Sequence, residues 1–367
     1  MSDLEIPAPR DTYDLVGHEA AEARLLDAWK GGRMPHAWLL TGPRGIGKAT
    51  LAFRLARFVL NGGGVDEGPS LFGDAELGPP AEGLAIDPEL PVARQVASGG
   101  HPDLLVIERS VNERSKTLRR EIVVEDVAAL SGFLRLTSSS GGWRVVIVDS
   151  IDEMNRNAAN AMLKLLEEPP KRALLILVSH APGGLLPTIR SRCRKLHLSP
   201  LADTRVEELL ARMAPDLDPG LTAVATRLAE GSIGRALELA ANDGPAVLGD
   251  AVRVFDGAPP INRKRLLDAT EKWIRRGKGE EGDPLAGRME LILWWLGQGV
   301  RRLASGYSDE VETIPGETGV FGAMASRFGL HGCCARLERA ETALRRGIGL
   351  NLDRKQMVMS MMLELGE

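Results

Sequence analysis

Gly42-Pro43-Arg44-Gly45-Ile46-Gly47-Lys48 lies between two contrasting apolar patterns. Before it runs Ala37-Trp38-Leu39-Leu40-Thr41, a continuous apolar stretch that reads as a buried parallel strand. After it, Leu51, Leu55, Phe58 and Val59 recur at spacings of three and four, the pattern of a helix. Strand, glycine-rich turn and Gly-Lys opening a helix is the context a phosphate-binding loop requires. Glycines let successive N–H groups converge on an anion, and the helix N-terminus adds positive partial charge. Gly42, Gly45, Gly47 and Lys48 are therefore candidate phosphate ligands, with Lys48 reaching the terminal phosphates.

The loop departs from its usual pattern at one point. Ser or Thr ordinarily follows the lysine and holds Mg²⁺ through its hydroxyl. Here Ala49 takes that place, and Thr50 comes one residue later. One residue along a helix rotates a side chain by about 100°. Thr50 is thus an uncertain substitute, and the site is better equipped for phosphate than for metal.

Trp143-Arg144-Val145-Val146-Ile147-Val148-Asp149 supplies a second buried strand ending in a carboxylate. Ligands of open α/β sheets lie at that end of the strands, where an aspartate can hold Mg²⁺ through water. Leu174-Leu175-Ile176-Leu177-Val178-Ser179 is another such strand, and His180 follows it. His180 either senses the nucleotide or is an ordinary loop histidine. Leu104–Ile107 and Lys195–Leu198 complete the strand candidates. Val16-Gly17-His18-Glu19 opens a helix that Gly31-Gly32 ends. Val16 joins the candidate nucleotide contacts. Asn155 can cap a helix bearing Ala158, Ala161, Met162, Leu165 and Leu166, which Glu167-Glu168-Pro169-Pro170 stops. Residues 61–100 are rich in Gly, Pro, Glu and Ala, lack clear periodicity, and read as an exposed, partly mobile insertion.

Alternation of strand and helix to residue 200 predicts a parallel sheet covered on both faces. Beyond Pro200 only helical patterns remain. The expected organisation is an α/β P-loop domain over 1–200, a small helical lid over 201–244, and an all-α domain over 245–367. Three short helices are expected at 203–213, 220–230 and 232–241. Longer ones are expected at Arg263–Ile274, Leu285–Ala304, Ala323–Gly347 and Asp353–Leu365. Trp294-Trp295 belong to the helix core or a subunit interface ahead of base stacking. Met357, Met359, Met361 and Met362 suit either core packing or contact with a partner helix.

Composition narrows the classes. At 367 residues, 44% hydrophobic and 26% charged, the chain is ordinary for a soluble globular protein. A net charge of −4 gives no global pull towards nucleic acid. Three cysteines, Cys193, Cys333 and Cys334, form no disulfide framework, which makes the cytoplasm the expected compartment. No apolar run reaches membrane-span length, and the acidic start Met1–Glu5 lacks a signal-peptide pattern. No membrane partner is expected.

Several stretches together carry a family resemblance. They are His36–Leu40 with the phosphate loop, His101-Pro102-Asp103-Leu104, Asn157–Lys164 with Leu166-Glu167-Glu168-Pro169-Pro170, and Thr188-Ile189-Arg190-Ser191-Arg192-Cys193. The chain resembles the clamp-loader branch of the AAA+ ATPases, the subunits of the bacterial DNA polymerase III clamp loader. The resemblance is strong over residues 1–240 and weaker beyond, where Asn351–Gln356 carries it. It implies that Arg192 is an arginine finger acting in trans on a neighbour's ATP. It implies gamma/tau and delta subunits as partners, with the beta sliding clamp and, through the assembly, primed DNA. The helical C-terminal domain would be the collar of the ring. Arg156 and Lys164 either position a duplex by its phosphates or are solvated surface charges.

Departures from the family's hydrolytic members fall at three positions. Ala49 replaces the Mg²⁺ hydroxyl, Ser150 stands where a glutamate polarises the attacking water, and Gly234 stands where a lid arginine senses nucleotide, with Arg235 one residue off. Asp152 and Glu153 follow Ser150 at a displacement. The expectation is a stator-like component of the polymerase holoenzyme that can bind ATP, with Mg²⁺ only alongside it, and whose own hydrolysis is weak or absent. The alternative is a gamma/tau-like motor in which Thr50 and Glu153 do the missing work. A stand-alone P-loop kinase or nucleotide sensor is disfavoured by Ser191-Arg192-Cys193. Many family members carry a four-cysteine zinc module after the phosphate-loop helix. Residues 61–100 contain no cysteine, so no zinc is expected.

Overall fold

The computed structural model describes residues 6–63, 82–111, 119, 121–135, 142–257, 260–275, 284–306, 312–350 and 352–366. Met1–Glu5, residues 64–81 of the expected insertion and Asn351 lie outside the described residues. The chain divides into two compact units, Pro7–Arg205 and Val206–Glu367.

The first unit runs α1 (Glu19–Lys30), β1 (Ala37–Thr41), α2 (Lys48–Leu60), α3 (Pro91–Ala97), β2 (Leu104–Ile107) and α4 (Val124–Arg135). Then come β3 (Arg144–Val148), α5 (Arg156–Glu167), β4 (Ala173–Ser179), α6 (Pro187–Arg192) and β5 (Arg194–His197). All five strands are parallel, in the order β2-β3-β4-β1-β5. Alternate side chains go to opposite faces, as the strand period of two demands. Trp38, Leu40, Val145, Ile147, Leu174, Ile176 and Val178 join a core with α1 and α2. Ala37, Leu39, Val146, Val148, Leu175 and Leu177 join a second core with α4, α5 and α6. Burial on both faces explains why these strands read as unbroken apolar runs rather than alternating ones.

One expectation about this unit needs correction. Residues 84–97 are not an exposed, aperiodic segment: Leu84, Ala93 and Val96 are buried, and Leu84 and Val96 belong to the core beside α2. The helix there is only seven residues long and starts on Pro91, too short to establish a 3.6-residue period. The His101-Pro102-Asp103 stretch proves to be a brace at the N-terminal end of the sheet. Buried Asp103 lies 3.6 Å from the Arg144 guanidinium, and Arg144 also donates to the Phe133 carbonyl and stacks on the Phe133 ring.

The N-terminal lead-in is strapped to α2. Arg57 donates to the carbonyls of Arg10 and Thr12 and lies 4.2 Å over the Tyr13 ring, while Arg54 bonds Glu22 and the Tyr13 carbonyl. The same helix begins at Lys48, so the strap fixes the far end of the phosphate-loop helix.

The second unit is helical: α7 (Asp203–Met213, across the division), α8 (Pro219–Ala229), α9 (Ile233–Ala241), α10 (Gly244–Phe255), α11 (Arg263–Ile274), α12 (Pro284–Ala304), α13 (Glu317–Gly349) and α14 (Arg354–Gly366). α10 packs on α8 and α9 and also on α11, α12 and α13. α13 is broken at Gly329, whose φ of 65° and ψ of 167° no helix contains. Met357, Met361 and Met362 are buried, and a Cβ at Gly347 would meet Met357 Cγ at 2.6 Å. Close approach of α13 and α14 thus places these methionines in the core. Trp295 is buried too, donating to Glu317 Oε2 at 2.9 Å.

Candidate functional site

Parallel pairing sends the C-terminal ends of all five strands to one edge, and the strand order decides what meets there. β4 lies between β1 and β3, with Thr41 in register with Ser179 and Val148 with Leu177. The residues after β4 therefore sit between the phosphate loop after β1 and Asp149 after β3. This order is invisible in the sequence, where β1 and β3 are separated only by α2, α3, β2 and α4.

The loop adopts the backbone that its glycines permit. Gly42, Gly45 and Gly47 have φ of 145°, 77° and 101°. A Cβ on Gly42 would meet the Leu198 carbonyl oxygen at 2.3 Å, so the loop passes directly against the chain after β5. Gly47 ends the loop in the left-handed region, and α2 begins at Lys48. Lys48 is buried, and its Nζ donates to the carbonyls of Gly42, at 2.8 Å, and Pro43. Burial lowers its pKa to about 8, against the pull of Asp149 and Asp152 and with the help of Arg44. A buried cation whose desolvation is only partly offset is well suited to an anion.

Asp149 follows β3, its N–H bonded to the Ile107 carbonyl. Burial, then the Glu108 charge, raises its pKa against Lys48, Arg44 and a Ser150 hydrogen bond. Ser150 has φ of 63°, an uncommon value for a residue with a side chain, and its Oγ lies 3.1 Å from His180 Nε2. The His180 backbone N–H donates to Asp152 Oδ1 at 2.8 Å. Burial and then Lys48 lower the His180 pKa to about 4, against Asp152, so the imidazole is neutral at physiological pH. Among the described residues, Ser179 Oγ and His180 Nδ1 are buried without a hydrogen-bond partner. Two orphaned polar atoms at the strand end beside the loop suit a polar ligand.

Glu153 and Asp152 are otherwise engaged. Glu153 Oε2 is 2.8 Å from Arg109 Nε, and Asp152 accepts from His180. Thr50 is half-buried in the first turn of α2. The donor set thus fits a phosphate. It is incomplete for a metal's usual protein ligands, because Ala49 has no side-chain oxygen at the position after Lys48.

Val16 is half-buried; its near neighbours in sequence, Leu15 and His18, have side chains 3.1 and 3.7 Å from a Cβ built on Gly47. His18 carries no functional mark in the sequence. It is buried, and its Nε2 lies 2.6 Å from the Ile46 carbonyl, tying the head of α1 to the loop. A lone histidine before a helix gives no signal of this; only the tertiary approach does.

Arg192 stands apart from these residues in its partners. It is the last residue of α6, with Nη1 donating to the Thr188 carbonyl at 3.0 Å and Nη2 2.8 Å from Glu167 Oε1. Arg235 lies 4.7 Å over the Trp294 ring and 2.7 Å from Glu238, both within the helical unit. Arg156 and Lys164 are exposed on α5.

A five-stranded parallel sheet with a glycine-lysine loop after β1, a carboxylate after β3 and β4 between them defines a P-loop NTPase domain of the AAA+ type. A family model described as DNA polymerase III, delta subunit, matches residues 83–202. The DNA polymerase III subunit delta′ of Pseudomonas aeruginosa is 40% identical over 189 residues, 51% of this chain and 50% of that one. Its counterpart in Bacillus subtilis is 30% identical over 213 residues, 58% and 55% of the two chains. The tau/gamma subunit of Haemophilus influenzae is 30% identical over 66% of this chain and 32% of its own length. Over these stretches the chain is similar to delta-prime subunits of DNA polymerase III. It spans about half the length of the delta-prime relatives it matches. Among the described residues no helix is long and apolar enough to cross a membrane.

Proposed function

We propose that this chain is the stator-like delta-prime subunit of a bacterial clamp loader. It would assemble with gamma/tau and delta subunits, supply Arg192 to a neighbour's ATP, and help place the beta clamp on primed DNA. The observation that carries this reading is the pairing of an intact phosphate cradle with a dismantled hydrolytic set. Lys48 and three left-handed glycines form the cradle. Opposite it, Ser150 bonds His180 where a base would stand, and Glu153 is held by Arg109. A general base must come within hydrogen-bonding reach of its water, and neither acidic residue is left to do so. Arg235 is likewise drawn onto Trp294 and Glu238.

If nucleotide binds, the glycine loop and Lys48 hold its phosphates, and His18, with Val16 shortly before it in sequence, borders the loop on the side of α1. Mg²⁺ would arrive with the nucleotide. Helices α7 to α9 would act as the lid and α10 to α14 as the collar. The compartment would be the cytoplasm.

The test is steady-state ATP hydrolysis by the chain alone and by its mixture with purified gamma/tau and delta subunits, clamp and primed DNA. The stator reading expects background turnover from the chain alone and turnover in the mixture that falls with Arg192→Ala by roughly a thousandfold at the affected site. Brisk hydrolysis by the isolated chain would favour the motor reading instead.

A further inference from the structure

The ion pair between Glu167 and Arg192 joins two stretches separated by 24 residues of intervening chain. Each partner is placed by its own local chemistry. Pro169 disfavours helical backbone at Glu168, so α5 ends with Glu167 in its last turn. Pro187 starts α6, and buried Ile189 and Cys193 anchor that short helix in the core beside α5. The backbone under Arg192 is therefore fixed, whereas its long side chain has many rotamers. Two contacts select among them: Nη1 to the Thr188 carbonyl at 3.0 Å and Nη2 to Glu167 Oε1 at 2.8 Å. A guanidinium has five N–H donors, so these contacts leave others for a phosphate.

We propose that Glu167 is a positioning residue for Arg192: its carboxylate holds the guanidinium in one orientation from which the remaining donors meet a phosphate on a neighbouring subunit. The proposal rests on the reading of Arg192 as a finger acting in trans. A preformed orientation raises the rate by avoiding reorganisation at the moment of phosphoryl transfer. Arg192 and Glu167 remain about one-third and one-half exposed, so the pair is reachable from outside and contributes little to stability.

The experiment is a double-mutant cycle in the reconstituted clamp-loader complex, with ATP, clamp and primed DNA, using Glu167→Ala, Arg192→Ala and both together. Glu167→Ala is expected to lower kcat about fivefold with KM for ATP unchanged, the upper size of one partly exposed ion pair. Glu167→Gln, which keeps an acceptor at the same reach, is expected to recover most of that loss. On the Arg192→Ala background Glu167→Ala should cost nothing further. Thermal unfolding of each variant chain should match the native one. A Glu167→Ala loss that persists undiminished without Arg192, or native turnover in Glu167→Ala, overturns the positioning role while leaving the finger intact. Native turnover in Arg192→Ala overturns the finger reading itself.

Discussion

Ser150 Oγ lies 3.1 Å from His180 Nε2, joining the residue after β3's aspartate to the residue after β4. The bond exists because β4 lies between β1 and β3, and it ties up the position from which a base would act. It also ties a titratable ring to a buried place. An unfolded histidine titrates near 6.5, whereas burial brings His180 down to about 4. Between those values the unfolded chain binds more protons, so the associated stability is full above pH 6.5 and lost as pH falls through 4. The urea midpoint of the chain should decline over that interval, and His180→Gln should flatten the decline. A His180→Gln profile parallel to the native one would count against this assignment.

Lys48 titrates at the opposite end of the range. Its folded pKa of about 8 lies below the ordinary 10.5, and an anion seated in the loop restores the proton. Nucleotide affinity should therefore fall as pH rises through 8, by about tenfold between pH 7 and pH 9. Equilibrium binding of a fluorescent ATP analogue across that range measures it. Affinity that is level, or that rises with pH, would show that Lys48 does not carry the phosphate.

Gly42 has no room for a side chain. Its φ of 145° and the 2.3 Å approach of the Leu198 carbonyl oppose any Cβ. Gly42→Ala should cost roughly 2 kcal/mol or more in chemical denaturation. An unchanged midpoint would mean the loop can move away from the chain after β5 at little cost.

The brace at the other end of the sheet should separate stability from binding. Asp103→Ala strips the buried Arg144 guanidinium of an anionic partner 3.6 Å away. A loss of about 3 kcal/mol is expected, with nucleotide affinity of the remaining folded protein unchanged. Denaturation and the same fluorescence titration read the two quantities. Equal losses in both would place Asp103 in communication with the loop.

Local chemistry made much of this readable from the chain. The strands are apolar runs because both sheet faces are covered, Asn155 caps α5 by accepting from the Ala158 N–H, and α7 spans the expected 203–213. What escaped depends on tertiary neighbours. Leu84 and Val96 are buried in a segment whose composition resembles a loop, because a seven-residue helix has no period to display. α10, Gly244–Phe255, shows no boundary of its own in the sequence. His18, the Ser150–His180 bond and the Glu167–Arg192 pair all join residues that the sequence keeps apart. His101-Pro102-Asp103 marked the family but served the sheet's far end, not the ligand edge.

The central claim is that this chain lends a guanidinium to a neighbour's reaction without performing one of its own. The most direct measurement compares ATP turnover by the reconstituted complex carrying Lys48→Ala with that carrying Arg192→Ala. The account predicts that Arg192→Ala sharply lowers turnover while Lys48→Ala leaves it within about twofold, since the first acts in trans and the second only on this chain's own loop. Loss of turnover with Lys48→Ala and native turnover with Arg192→Ala would contradict it and make the chain a motor.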